Sequence, residues 1–165
     1  MKAHVLIIDD DSGVRRAIRS VLQNAGYEVS TAADAEEATA RFIPGQIGLV
    51  LLDLSLPQRS GWDVLEHLTS RQPTIPIIVI TGLPDQYPSA VAAGVGALME
   101  KPIEAPALLK AMDELLAEPA EARLRRLCGI QHDTRYFQQP APRLSGDTRP
   151  SSARVRRQYR PSRPG

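Results

Sequence analysis

Branched apolar residues gather in five short clusters along the first two thirds of the chain, at 4–9, 27–31, 47–53, 75–81 and 96–99, and each cluster is of strand length. The third and fourth are almost wholly Val, Ile and Leu, the pattern of strands covered on both faces. Between the clusters the apolar spacing lengthens to a helical one. Val14, Ile18, Val21 and Leu22 fall on one face of a first helix, which Asp11 or Ser12 is placed to cap and the turn at Gly26 to end. Further helical stretches lie at 35–42, 62–68, 86–93 and 105–116. The fourth should be brief, because Pro84 and Pro88 fall in its neighbourhood. Five strands separated by helices predict a parallel sheet with right-handed crossovers.

The residues that end these clusters are polar and chemically distinct. "VLII" runs into Asp9 and Asp10, "IGLVLL" into Asp53, "IPIIVI" into Thr81, and "GALME" into Lys101 and Pro102. In open α/β sheets, ligands bind beyond the carboxyl ends of the strands, near the point where strand order reverses. Two acids, a third acid, a hydroxyl and a lysine therefore converge on one edge. Three consecutive aspartates, Asp9 to Asp11, would otherwise be a solvated turn; convergence from four strands favours a cation site instead. Asp11 is read as a helix-flanking charge.

Charge divides the chain in two. The net charge of +1 conceals 9 Lys/Arg against 16 Asp/Glu in residues 1–118, and 11 Arg against 3 acids in residues 119–165. The second part has six prolines and the low-complexity finish "RPSSARVRRQYRPSRPG". It carries too few large apolar residues to offset the entropy of ordering it. Glu118/Pro119 is the expected domain boundary, followed by one short helix at 120–127 and then a disordered tail. A length of 165 residues suits one domain with an appendage. The apolar runs are far below the roughly 20 residues of a membrane helix, and the first meets acid too early for a signal peptide. Cys128 is the only cysteine, and His4, His67 and His132 stand too far apart for a local metal pattern. These features fit a reducing, cytoplasmic setting and no membrane partner.

The acidic pair, the stretch "LLDLSLPQRSGWDVL" with Pro57 four and Gly61 eight residues past Asp53, "VITG" around Thr81 and "EKP" around Lys101 occur in one order and spacing. Residues 2–118 thereby resemble the receiver domain of two-component response regulators. The resemblance implies a flavodoxin-like, doubly wound (βα)5 sheet of order 2-1-3-4-5. Asp53 would be the phosphoacceptor, receiving its phosphoryl group from a histidine kinase or histidine phosphotransfer protein. Mg²⁺ would be held by Asp10, Asp53 and the backbone carbonyl of Ser55, with Asp9 acting through a water. Thr81 and Lys101 would bind the phosphoryl oxygens, Ser55 and Leu83 would tune hydrolysis, and Pro57, Gly61 and Pro102 would be structural. A cis Lys101–Pro102 peptide is also implied. Such a protein signals by conformational change to an output partner and is not a turnover enzyme. One departure stands out: the position three before Lys101, usually aromatic in the family, is Leu98.

Other chemistries fit less well. A haloacid dehalogenase-type phosphatase needs an acid two residues after its nucleophile, where this chain has Ser55. No GxxxxGK[ST] occurs, and "GVGALM" lacks the third glycine of a dinucleotide fingerprint and precedes a strand. Trp62 is read as packing, and His67 as a helix-surface side chain. The remaining alternative is a DNA-binding transcriptional regulator that uses the basic tail as its output.

Overall fold

Alternation along each strand decides which helix layer its side chains meet. The computed structural model describes residues 2–138. In it, β1 (His4–Ile8), β3 (Leu49–Asp53), β4 (Ile77–Thr81) and β5 (Ala97–Glu100) each send alternate residues to opposite faces. Leu6, Ile8, Val50, Leu52, Val79 and Leu98 join one core with Phe42, Val64, Leu65, Leu68 and Ala90. Val5, Ile7, Leu49, Leu51, Ile78, Ile80 and Met99 join the other with Ile18, Leu22, Leu108, Met112 and Leu115. The sheet is thus sandwiched, with α1 (Ser12–Asn24) and α5 (Ala105–Ala117) on one side and α2 (Ala35–Arg41), α3 (Gly61–Arg71) and α4 (Tyr87–Ala93) on the other. The edge strand β2 (Glu28–Ala32) pairs with β1 in register Val5↔Val29.

Local chemistry sets the helix ends as the sequence indicates. Asp11 caps α1, its carboxylate accepting from the backbone N–H groups of Gly13 at 2.8 Å and Val14 at 3.1 Å. Asp34 caps α2 by accepting from Glu37 N–H, and the Glu37 carboxylate reaches back to Ala33 N–H. Gly94 ends α4 in the left-handed conformation. No described helix is long and apolar enough to cross a membrane.

All pairings in the sheet are parallel, in the order β2-β1-β3-β4-β5-β6. The first five strands have the expected order. The sixth, β6 (Arg135–Phe137), was not expected: it adds to the outer edge of β5, pairing Leu98 with Tyr136. The expected short helix is present as α6 (Ala120–Leu127). Packed structure therefore continues past Glu118/Pro119, and residues 119–137 form an arm laid against the domain. The reason is largely polar, beside the packing of Phe137 on one core. Arg126 is only 3% exposed and pairs with both Glu118 and Asp133, and the buried Thr134 hydroxyl donates to the Val95 carbonyl at 2.8 Å. A disordered tail remains an expectation only for residues 139–165, which lie outside the described residues.

Candidate functional site

The strand ends gather four charged groups into one cluster. Asp53 closes β3 and Asp9 follows β1; both are about 2% exposed, whereas Asp10 is exposed. Oxygens of Asp9, Asp10 and Asp53 lie within 4.8 Å of one another. Lys101, just past β5, places its ammonium 3.0 Å from Asp9 Oδ2 and 3.1 Å from Asp53 Oδ2. The remaining carboxylate oxygens are held by the backbone: Asp53 Oδ1 accepts from Ser55 N–H at 3.0 Å, and Asp9 Oδ1 from Asp11 N–H at 2.9 Å. The Arg15 guanidinium donates to the Asp9 carbonyl at 2.6 Å. That contact carries no motif signature; its only trace in the sequence is a basic residue one turn into α1.

Electrostatics follow from this burial. Desolvation pushes the Asp53 carboxyl above its ordinary range, and the charge of Asp9 adds to the shift; the Ser55 N–H and Lys101 oppose it. Burial alone would lower the Lys101 ammonium, but its bonds to Asp9 and Asp53 win and raise it. Three acids facing one lysine leave the site with excess negative charge. An all-oxygen set of this kind suits a hard divalent cation.

Thr81 is fully buried at the end of β4, and its Oγ1 accepts from Leu83 N–H at 2.9 Å. The backbone N–H of Lys101 donates to the Thr81 carbonyl at 2.8 Å, tying the two strand ends together. The Lys101–Pro102 peptide is cis, as expected. Gly61 is required by close approach: a Cβ there would stand 2.5 Å from Leu54 Cα and 2.6 Å from the Asp53 carbonyl oxygen. Pro57 opens the turn in which Gln58 takes a positive φ of 68° and Pro57 O accepts from Arg59 N–H. Trp62 packs against the core, with its indole N–H donating to Gln86.

The family model of the response regulator receiver domain matches residues 5–113, more than half of the chain. The chain belongs to that family. Members are phosphoacceptor signalling modules rather than turnover enzymes. This receiver domain is 32% identical over 123 residues to the transcriptional regulatory protein GlrR of Escherichia coli, a match covering 73% of this chain and 28% of that protein. A match at 31% identity to the regulatory protein VanRB of Enterococcus faecalis covers 83% of this chain and 64% of the relative. The chain thus spans about a quarter of the first relative's length and under two thirds of the second's. Among solved structures, a receiver domain protein from Clostridium thermocellum superposes with a TM-score of 0.67 at 29% identity, covering 70% of this chain and 94% of that one. The response regulator TrrA of Thermotoga maritima, solved in complex with Mg²⁺ and BeF, gives 0.62 at 28% identity over 69% of this chain and 99% of that one.

The receiver fold therefore gathers Asp9, Asp10, Asp53 and Lys101 into one cluster, with Ser55, Thr81 and Leu83 joined to it by backbone hydrogen bonds. What sequence reasoning missed lies at the β5 edge. Tyr136 of β6 stands in register with Leu98, the position where an aromatic ring is lacking, and its ring lies 5.0 Å from that of Tyr87 in α4.

Proposed function

We propose that this protein is a phosphoacceptor response regulator that takes a phosphoryl group on Asp53 from the phosphohistidine of a histidine kinase or phosphotransfer protein. The observation that carries the reading is the Asp53 carboxylate itself: buried at a strand end, oriented by Ser55 N–H and faced by the Lys101 ammonium. Phosphoryl transfer asks a protein mainly for positioning and charge neutralisation. An Asp53 oxygen attacks phosphorus, the P–N bond to the donor imidazole breaks as the P–O bond forms, and the released imidazole recovers a proton. Lys101, now shared between two carboxylates, pairs with a phosphoryl oxygen, and the Thr81 hydroxyl turns to bond another.

The acidic cluster fits Mg²⁺, which prefers oxygen donors and retains several waters. Asp10, Asp53 and the Ser55 carbonyl would hold it, with Asp9 acting through a water. Asp10 is exposed, which supports its place as a direct ligand. Bound there, Mg²⁺ would supply neutralising charge to the phosphoryl oxygens. Incubation with acetyl phosphate and Mg²⁺ should add one acid-labile phosphoryl mass to the wild type and none to Asp53→Asn, and chelation should abolish it. Asp10→Ala should weaken Mg²⁺ binding strongly; full labelling of either variant would overturn the reading.

A second reading is favoured by the names of the relatives, which are transcriptional regulators matched over part of their length. In it, the Arg-rich residues 139–165 supply a nucleic-acid contact. Salt-sensitive DNA binding by the full chain, lost when those residues are removed, would support it.

A further inference from the structure

The arm formed by residues 119–137 touches the site's surroundings in two places, beside Lys101 and beyond Thr81. On the Lys101 side, the Tyr136 hydroxyl donates to Glu100, the residue before Lys101 and the register partner of Thr81. On the Thr81 side, Tyr87 stacks on Tyr136 and its hydroxyl donates to the Thr134 carbonyl at 3.3 Å. Between these ties, β6 pairs with the β5 edge over three residues, and Arg135 bonds to Gly96 O through its backbone and to Glu114 through its side chain.

The hold is polar and imperfect. Every buried side-chain atom without a hydrogen-bond partner among the described residues belongs to this arm or its root: Glu118 Oε2, Arg123 Nε and Arg135 Nη1. Burying unpaired polar groups opposes docking. In return the three-residue edge strand recovers only a half-buried Phe137 against one core and a Tyr136 that is 39% exposed. By contrast, β5 pairs with β4 on its inner side and sends side chains into both cores, independently of the arm. When the strand ends shift, the arm is the partner that yields.

We propose that residues 119–137 form an intramolecular strap that covers the β5 edge while Lys101 pairs with Asp9 and Asp53, and lifts from it when Asp53 carries a phosphoryl group. This rests on the phosphoacceptor reading. The added charge draws Lys101 and the Thr81 hydroxyl to the phosphoryl oxygens, moving Glu100 from one end and the loop before Tyr87 from the other. Lifting uncovers the unpaired backbone of β5, a template for an added strand.

The test is amide hydrogen exchange on the full chain, followed by mass spectrometry of peptides spanning residues 95–100 and 130–138, before and after acetyl phosphate with Mg²⁺. Intact mass measured in parallel reports the phosphoryl group itself. Protection of both segments should fall by about tenfold or more, as for a local opening, and should not change in Asp53→Asn. Asp133→Asn, which removes the charge of one partner of Arg126 and touches no site residue, should raise exchange of the arm without phosphorylation. By reciprocity it should tighten binding of Mg²⁺ and beryllofluoride by about fivefold. Tyr136→Phe keeps the ring and removes the Glu100 bond; it should accept phosphate yet show a smaller exchange response. Phosphorylated protein whose arm is equally or better protected would overturn the strap and leave the phosphoacceptor reading intact. A wild type that takes no phosphoryl group would overturn the reading, and the strap with it.

Discussion

Each residue of the site is placed by a different local device, so each substitution should fail in its own way. Gly61 begins α3 directly against the backbone of Asp53 and Leu54. Gly61→Ala should therefore cost about 1–3 kcal/mol, as overpacking does, and slow phosphorylation because the displaced atoms carry the phosphoacceptor. Urea unfolding and the labelling rate measure the two effects; an unchanged midpoint would contradict the close approach. Leu83 is exposed and binds Thr81 only through its backbone N–H, so its side chain offers no hydrogen bond to an attacking water. Self-dephosphorylation is expected to be slow and to accelerate in Leu83→Glu. A decay rate unchanged by that substitution would remove Leu83 from the set that tunes hydrolysis. These residues were legible because motif spacing and strand ends coincide. Arg15 was not, since a guanidinium bonding one carbonyl leaves no pattern in the sequence.

Elements with apolar runs were legible, and the one without such a run was not. The four inner strands, β1, β3, β4 and β5, follow from apolar clusters that must be covered on two faces. "RYF" at 135–137 has no such signature: three residues, the first an arginine, held by bonds to Glu114, Glu100 and Gly96 and by Phe137 against one core. Its docking has a pH signature. The Arg126 bond holds the Asp133 carboxyl below its ordinary value of 3.8, so the pair's stabilisation is complete above that value and lost as pH falls through the folded one. The Tyr136 amide resonance should therefore show an acid step below pH 3.8 that Asp133→Asn lacks. A step of equal size in the variant would place the acid sensitivity elsewhere. Leu98 is buried in the α2–α4 layer and cannot act as a mobile ring. The aromatic rings at this face are those of Tyr87 and Tyr136.

For the molecule as a whole, the charge split in the sequence marks a change in chemistry rather than the end of packed structure, because arginines of the second part are bound by acids of the first and by Asp133. A chain ending at Glu118 keeps β1 to β5, both cores and every proposed site residue. It should fold and accept phosphate. Loss of the Thr134 bond and the pairing of β6 should cost about 1–3 kcal/mol, and a thermal melt would show this; an unfolded truncate would make the arm an integral part of the domain. The central claim is that the cluster of strand-end charges exists to make Asp53 a phosphoacceptor. Borohydride reduction of the phosphorylated full chain, which converts an aspartyl phosphate to homoserine, followed by peptide mass spectrometry, reads the site directly. The account predicts homoserine at position 53 alone. Homoserine at Asp9, Asp10 or Asp11, or at no aspartate of a fully phosphorylated sample, would contradict it.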